Sequence, residues 1–441
     1  MTDAERFHER PHGTLLALSI PVLFSLIAEP LTGLVDTAFV ARLGSVSLAA
    51  LGVGTMSLSA VFWIFNFLGI GTQTEVAQSL GAGEHDRASH AAGLAMSLAM
   101  LIGLGLLILG VWLAPLASRW MGASGAIESG AVLYIRIRLL AAPAVLVTVA
   151  GFGALRGIHD MQTPLKIAVA VNVFNIALDW PLIFGLGPIP RLEIAGAAAA
   201  SALSQWIGAT WVFVAVRKKI GTSRPFDLTG TRKLLRVGGD LFLRTGLLTA
   251  FLVLTTRAAT RIGAEAGAAH QAIRQVWQFT ALFLDAFAVA GQSLIGWFVG
   301  GARTAEAKRV AAVVLFWSVV TGAGLGLLMI LGQPIFEKLL VPAGALPFFA
   351  TAWWIAALSQ PLNGISFGTD GIHWGTGDFA FLRNVVGFAT AVGAIGIWAL
   401  DERGRHAFAM VWILTALWIT IRALFGVLRI WPGIGKAPLA D

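Results

Sequence analysis

The sequence contains no cysteine and very little charge. Of its 441 residues, 12% are Asp, Glu, Lys or Arg and 57% are hydrophobic, whereas a soluble domain has about 25% charged residues. The lack of cysteine excludes disulfides, thiolate catalysis and Cys-based metal sites. We expect an integral membrane protein, because so little charge cannot cover a water-soluble fold of this length. The net charge of +8 comes from basic residues at the ends of apolar segments, where lipid headgroups lie, so we expect no nucleic-acid partner.

Signatures of metal, nucleotide and hydrolytic chemistry are weak or missing. Residues 8–12 fit the HExxH zinc pattern, but that pattern needs both histidines on one continuous helix, and Pro11 interrupts it. No GxxxxGK[ST] phosphate loop occurs. A membrane-embedded hydrolase or acyltransferase is the least supported alternative, since no Ser/His/Asp set recurs at catalytic spacing within a span. We predict that the protein is not an enzyme and has no cofactor.

Twelve apolar segments are long enough to cross a bilayer, for which a helix needs about 20 residues. The tenth is interrupted by Pro347, Pro361 and Asn363. The predicted spans lie at residues 14–40, 48–72, 90–117, 128–153, 164–186, 193–217, 235–261, 270–298, 307–333, 345–369, 381–400 and 407–430.

The distribution of basic residues predicts the orientation of these spans. Of the 31 Lys and Arg residues, 18 lie in loops or span ends on the side of the N-terminus and 7 in loops or span ends on the other side. Cytoplasmic loops retain Lys and Arg, so we expect both termini in the cytoplasm and the chain in the plasma (inner) membrane. The predicted division is a cytoplasmic tail, an N-lobe, a cytoplasmic linker, a C-lobe and a second cytoplasmic tail, at residues 1–13, 14–217, 218–234, 235–430 and 431–441.

The two halves of the chain are similar to each other. The Arg-x-Gly of residues 42–44 recurs at residues 261–263, and the Gly-Ile-His of residues 157–159 recurs at residues 371–373, with a slightly smaller shift along the chain. Each half has six spans, an even number, so both halves have the same orientation. The sequence therefore predicts an all-α integral membrane fold of twelve transmembrane helices in two parallel six-helix repeats, with a substrate cavity at their interface.

Polar residues in the first half are candidates for ion binding, because an ionisable group at the bilayer centre costs about 2.5 to 3.5 kcal/mol. The first span contains Asp36. The fifth contains Asn175 and Asp179, four residues apart and hence on one helix face, and the sixth presents Ser201 among alanines. If these helices converge, the side chains form an oxygen cage for a hard cation such as Na⁺, or a carboxyl pair that shares a proton.

Other residues of the first half have more than one interpretation. Pro21 breaks the backbone ladder of the first span and is a candidate bending point. Glu29 and Asn172 are candidates for the wall of the substrate cavity. The alternative for Asp36 is a solvated or capping position at the outer end of its helix.

In the second half, Arg244, Gln271, Gln275, Asp285 and Asp370 are further candidates for the substrate cavity. The two glutamines are one helical turn apart, so they lie on one face of the eighth span. Arg244 is expected either to pair with Asp285 or to act on substrate directly. The shift that superimposes the two Arg-x-Gly segments brings Asp36 onto Thr255, so the coupling site is expected in one half only.

Eight segments of the sequence resemble those of a known family, namely residues 30–38, 153–157, 163–164, 175–179, 196–201, 269–271, 284–288 and 370–372. The family is that of the multidrug and toxic compound extrusion (MATE) transporters, and the resemblance is to their DinF-like branch. The resemblance implies two six-helix lobes that form a V-shaped cleft, and export coupled to inward flow of H⁺ or Na⁺. It implies that Asp36, Asn175, Asp179 and Ser201 form the cation or proton site and that Pro21 is the bending proline. Ser201 stands where the family commonly has Thr, and Glu29 is not part of the family pattern.

We therefore predict a secondary antiporter that exports amphipathic, mainly cationic organic compounds and acts as a monomer. Binding of H⁺ or Na⁺ at Asp36 and Asp179 would remove a charge, bend the first helix near Pro21 and disfavour the substrate-bound, outward-facing state. The alternative is a flippase for lipid-linked saccharides, which needs a basic cavity for pyrophosphate. The arginines that favour this alternative are Arg136, Arg138, Arg244, Arg257 and Arg274.

Overall fold

The computed structural model describes residues 3–222, 228–404 and 406–440, and these residues fold almost entirely into helices. In these ranges the α-helices are α1 (Asp3–Glu9), α2 (Pro11–Ala41), α3 (Ser45–Ile64), α4 (Phe67–Gly81), α5 (His85–Trp120), α6 (Gly125–Leu139), α7 (Ala142–Gly157), α8 (Gln162–Phe184), α9 (Ile194–Lys219), α10 (Leu228–Ile262), α11 (Ala264–Gly300), α12 (Thr304–Leu340), α13 (Leu346–Leu358), α14 (Gln360–Thr376), α15 (Phe379–Trp398) and α16 (Ala407–Ile430).

These helices account for the twelve predicted spans. Within the described ranges, ten spans are long and apolar enough to cross a membrane, with α3 and α4 together counted as one. The fourth predicted span is the pair α6 and α7, bent by 51°, and the tenth is divided into α13 and α14. Pro143 and Pro361 lie in the first turns of α7 and α14. A proline is tolerated there but cannot continue a preceding helix, which explains why both spans are interrupted.

The chain folds into two compact units. We name Phe24–Gly238 the N-terminal unit, and Met1–Leu23 together with Gly239–Asp441 the C-terminal unit. The predicted tail at residues 1–13 contains α1, whose buried Phe7 contacts Phe298 of α11 edge-on at 6.1 Å between ring centroids. The helix α2 begins in the C-terminal unit and passes into the N-terminal unit after Leu23, shortly beyond Pro21. The predicted linker, residues 218–234, lies partly outside the described residues.

Each unit contains the same packing arrangement. In the N-terminal unit α7 packs against α4, α5 and α9, and in the C-terminal unit α14 packs against α11, α12 and α16. The closest approaches repeat as well. A Cβ added at Gly153 would lie 2.2 Å from the carbonyl oxygen of Gly69, and one added at Gly371 would lie 2.3 Å from that of Ala288. Only glycine allows two helix backbones this close, so these contacts identify equivalent positions in the two repeats.

The equivalent glycines correct the register of the repeat. Gly153 corresponds to Gly371. One turn further along each helix, Gly157 packs against the backbone of Gln73, and Gly375 packs in the same way against the backbone of Gln292. Gly157 therefore corresponds to Gly375, whereas the two Gly-Ile-His triplets align it with Gly371. The alignment of the triplets is wrong by about one helical turn. A match of three residues carries little weight in a chain with 51 glycines.

An ion pair is also repeated at one end of each unit. In the N-terminal unit, Asp160 precedes α8 and accepts a 2.5 Å bond from Nζ of Lys219 at the end of α9. In the C-terminal unit, Asp378 precedes α15 and accepts a 2.8 Å bond from Nε of Arg429 near the end of α16. Burial alone would raise the pKa of Asp160, but the bonds from Lys219 and Thr163 outweigh that effect and lower it. Both pairs fasten the end of one helix to the start of another.

Replacing Asp160 with Asn is expected to lower the midpoint of thermal unfolding in detergent, because Lys219 loses its partner. Since the folded-state pKa of Asp160 is lowered, its stabilisation is present above the ordinary carboxyl pKa of about 4 and is lost as the pH falls through the folded value. The difference between wild type and Asp160→Asn should therefore shrink below about pH 4. Asp86→Asn, at an exposed position, is the matched control and should leave the midpoint unchanged. An equal difference at pH 3 and pH 7 would contradict this role.

Candidate functional site

Helices α2, α8 and α9 bring four predicted residues together inside the N-terminal unit. Asp36, Asn175, Asp179 and Ser201 are exposed by only 7%, 1%, 0% and 8%. Helices α8 and α9 approach closely, because a Cβ at Gly196 of α9 would lie 2.2 Å from the backbone oxygen of Leu182. The small residues that follow Gly196 allow this contact, which places Ser201 against the face of α8.

Hydrogen bonds connect three of these side chains. Oγ of Ser201 donates to Oδ2 of Asp36 at 3.3 Å. In the amide orientation that satisfies both of its ends, Asn175 donates from Nδ2 to Oδ1 of Asp36 at 2.9 Å and accepts from the backbone N–H of Ser201 at 3.3 Å. Asp36 is therefore a buried, hydrogen-bonded residue, and the alternative that places it in a solvated position at the end of its helix is wrong.

Asp179 is buried without compensation. Among the described residues, neither of its carboxyl oxygens has a hydrogen-bond donor, and the carboxyl group of Asp36 lies close enough to interact with it directly. Burying a carboxylate without a donor is costly, and a second carboxylate beside it adds repulsion. A bound cation or a proton removes both penalties.

The oxygen atoms of this site fit a proton or a monovalent cation. Two carboxylates, one amide oxygen and one hydroxyl oxygen are hard ligands of the kind that Na⁺ shares with other hard cations. The described residues contain no group of three or more His, Asp or Glu that could hold a metal ion.

Two residues of α6 lie beside this site and were not predicted as part of it. Tyr134, the one tyrosine of the sequence, is buried and packs its ring against Gly54 of α3. Arg138 lies one turn further along α6, near enough to Asp36 to attract it electrostatically. Two of its guanidinium nitrogens, Nε and Nη1, are buried and have no acceptor among the described residues. The sequence offered one signal for Tyr134, namely its uniqueness in a chain with 16 tryptophans.

Asn172 fastens α8 to the first long helix. Its Nδ2 donates to the carbonyl oxygen of Ala28 at 2.8 Å, and its Oδ1 accepts from the hydroxyl group of Thr32. Both partners flank Pro30, which cannot donate a backbone hydrogen bond. Of the other residues predicted in this region, the side chain of Glu29 lies outside the described part of the structure, and Pro21 lies within α2.

In the C-terminal unit, Asp370 of α14 is held between two arginines. Its Oδ2 accepts from Arg244 of α10 and, at 2.9 Å, from Arg422 of α16. All three side chains are buried, and the two guanidinium groups stack on tryptophans, Arg422 on Trp418 at 4.5 Å. The predicted pairing of Arg244 with Asp285 is thus replaced by a pairing with Asp370, which lies on a distant helix of the chain.

The remaining predicted residues have different surroundings. Gln271 and Gln275 lie on an exposed face of α11, as their spacing predicts, and Asp285 lies half-buried on the same helix. The five arginines that favoured a flippase do not share one unit, because Arg136 and Arg138 lie in the N-terminal unit and the other three in the C-terminal unit. Nε of Arg136 donates to the carbonyl oxygen of Val111.

Replacing Asp370 with Asn is expected to destabilise the C-terminal unit strongly, because two buried arginines then lack a counter-charge. Removing one partner of a buried ion pair typically costs about 3 to 5 kcal/mol. Adding Arg244→Met should restore part of the loss, since one uncompensated charge is removed. The measurement is the midpoint of thermal unfolding of the single and double variants. A double variant less stable than Asp370→Asn would argue against charge compensation as the role of this aspartate.

Comparison with known proteins identifies the family. The MatE family model matches residues 21–180 and 242–398, one match in each half of the chain. Protein DETOXIFICATION 43 of Arabidopsis thaliana is 30% identical over 96% of this chain and 90% of its own length. The DNA damage-inducible protein F of Escherichia coli is 29% identical over 92% of this chain and 89% of its own length.

Solved structures share the fold. A crystal structure of MATE in the bent conformation superposes with a TM-score of 0.89 at 20% identity, covering 98% of both chains. An outward-facing multidrug resistance MATE transporter superposes with a TM-score of 0.84, covering 95% of this chain and 94% of that one. The family match, the twelve spans and the repeated six-helix arrangement agree with one another, and the chain belongs to the MATE family of multidrug and toxin efflux transporters.

Proposed function

We propose that the protein is a secondary antiporter that exports amphipathic, mainly cationic organic compounds in exchange for H⁺, with Na⁺ as the alternative coupling ion. The observation that carries this proposal is the pair of buried carboxyl groups of Asp36 and Asp179. Because the empty site has an unfavourable free energy, it binds a cation, and an ion gradient can therefore change its occupancy.

The pair supports coupling because it joins three helices. Asp36 lies on α2, while its bonding partners Asn175 and Ser201 lie on α8 and α9. When a proton or Na⁺ binds between Asp36 and Asp179, the repulsion between them is removed and α2 is held against α8. When the cation leaves, the carboxylates repel and α2 is released. Occupancy of the site therefore changes the free energy of one helix position relative to another.

The position of Pro21 gives this movement a hinge. Residues up to Leu23 pack in the C-terminal unit and residues from Phe24 pack in the N-terminal unit, so the chain changes its packing partner just after this proline. The missing backbone hydrogen bond at a proline makes a helix easier to bend. We infer that α2 bends near Pro21 when the carboxyl pair changes its occupancy, which disfavours the substrate-bound, outward-facing state.

The same carboxylates support a preference for cationic substrates. An unoccupied pair carries up to two negative charges, which attract an organic cation by the electrostatics that attract the coupling ion. Binding of the coupling ion then disfavours binding of the organic cation, and the organic cation disfavours the ion. An antiporter requires that the two do not bind at the same time. The name of one relative, the probable multidrug resistance protein NorM of Deinococcus radiodurans, agrees with a range of organic substrates.

The charge distribution supports the placement of the protein in the cell. Because 18 of the 31 basic residues lie in loops or span ends on the side of the N-terminus, we infer that both termini face the cytoplasm and that the chain resides in the plasma (inner) membrane. We further propose that it works as a monomer, since the four residues of the cation site all come from one unit of a single chain.

Replacing Asp36 with Asn is expected to abolish gradient-driven export while binding of an organic cation persists in weaker form, because the coupling charge is lost. The assay is efflux of a fluorescent organic cation from liposomes, first under a pH gradient alone and then under a Na⁺ gradient alone. We expect wild type to respond to the pH gradient. The matched control is Thr255→Ala, at the residue that the Arg-x-Gly repeat aligns with Asp36, and it should keep coupled efflux. Efflux at the wild-type rate by a folded Asp36→Asn protein would refute the assignment. Efflux by wild type under the Na⁺ gradient alone would identify Na⁺, and not H⁺, as the coupling ion.

A further inference from the structure

A basic pocket in the C-terminal unit has no part in the mechanism above. It lies at the end of α10 furthest from the linker and extends to α11, with a volume of about 360 Å³. Three of its lining residues are the arginines Arg257, Arg261 and Arg274, and the other three are Val253, Thr256 and Thr260. None of these described lining residues carries a carboxylate, so the pocket has a strong excess of positive charge.

The helical spacing of these residues explains how the pocket forms. Arg257 and Arg261 are four residues apart on α10 and so lie on one helix face, and Thr256 and Thr260 form an adjacent row with the same spacing. Both rows line the pocket. Arg274 reaches this side from α11, and its Nη1 donates to the hydroxyl oxygen of Thr256 at 2.8 Å. The side chains of three arginines thus line one volume from two helices, whereas the hydroxyl groups of Thr256 and Thr260 donate to backbone carbonyl oxygens of α10.

The positive charge of the pocket is only partly compensated by the protein. Arg261 contacts Glu402 at 3.3 Å, in a pair whose side chains are 55% and 36% exposed. Among the described residues, no carboxylate forms an ion pair with Arg257 or Arg274. The Nε atom of Arg274 is buried and has no acceptor among the residues that the structure describes. Uncompensated arginines within a membrane span are costly and need a partner.

We propose that Arg257, Arg261 and Arg274 bind an oxyanion, the carboxylate or phosphate group of a small organic molecule or of a lipid. Guanidinium groups bind both oxyanions through paired N–H donors. The volume lies at the lower end of the range for small-molecule sites, which admits one anionic group with a ring or short chain attached. This site is separate from the carboxyl pair of the N-terminal unit and does not depend on its role.

Phenyl phosphate is the probe for the soluble form of this chemistry. Its binding to the purified full-length protein in an uncharged detergent is measured by isothermal titration calorimetry, with benzyltrimethylammonium as a cation of similar size. We expect the double variant Arg257→Gln/Arg274→Gln to bind phenyl phosphate at least tenfold more weakly than wild type, and the cation to be unaffected. The double variant with Lys at both positions keeps the charge without the paired donors and should give an intermediate affinity. Arg191→Gln, at an exposed arginine of the N-terminal unit, is the matched control and should bind as wild type does.

A second arm distinguishes a lipid from a soluble anion. Wild type and the variants are reconstituted in vesicles of phosphatidylcholine and phosphatidylglycerol at a ratio of 4 to 1, extracted, and analysed for retained lipid by native mass spectrometry. Retention of phosphatidylglycerol by wild type, reduced in the Gln variant, assigns the site to a lipid headgroup. Binding of phenyl phosphate without such retention assigns it to a soluble organic anion. If the Gln variant matches wild type in both arms, or if wild type binds neither probe, the proposal is overturned. Should the Gln variant fail to fold, the Lys variant decides by the same comparison.

Discussion

The structure of the N-terminal unit depends on one unfavourable contact, two carboxyl groups that face each other away from water. Asp179 has no donor among the described residues, and Asp36 obtains its donors from Asn175 and Ser201. An arrangement of this kind is stable only with a cation or a proton between the carboxyl groups, because burial and repulsion otherwise add. In the mechanism that we propose, the ion therefore joins α2 to α8, and its removal releases α2.

The two repeats share a backbone arrangement but have opposite chemistry. Their close glycine contacts recur at equivalent positions, and both end in an ion pair between helices. Inside the N-terminal unit, however, acidic residues meet without full compensation, whereas inside the C-terminal unit Asp370 lies between two arginines and three further arginines line a pocket. The glycine contacts require the same helix packing in both units. The polar residues differ between the units, which agrees with our proposals of a cation site in one and an anion site in the other.

What the sequence could predict follows the range of each interaction. Span length and the one-turn spacing of Asn175 and Asp179 are local properties. Span length led correctly to twelve spans, and the spacing placed the two residues on one helix face. The grouping of Asp36 and Ser201 with them was implied by the family resemblance and not by any local property. Pairings across helices are not local. The partner of Arg244 is Asp370, on a distant helix, and the place of Tyr134 beside the site follows from the packing of α6. The Gly-Ile-His triplets led to a register of the repeat that is wrong by one turn. Identical residues in two apolar helices are weaker evidence of equivalent positions than a shared backbone contact.

The most direct test of the carboxyl pair as the cation site is infrared difference spectroscopy of the purified protein during acidification, which detects the C=O stretch of each carboxyl group that takes up a proton. Spectra of wild type and Asp179→Asn are recorded with and without Na⁺. We predict a carboxyl band in the spectrum of wild type that is absent from that of the variant. If Na⁺ and H⁺ share the site, Na⁺ reduces the intensity of this band. An identical band in both proteins would contradict the account, because the proton would then be bound elsewhere.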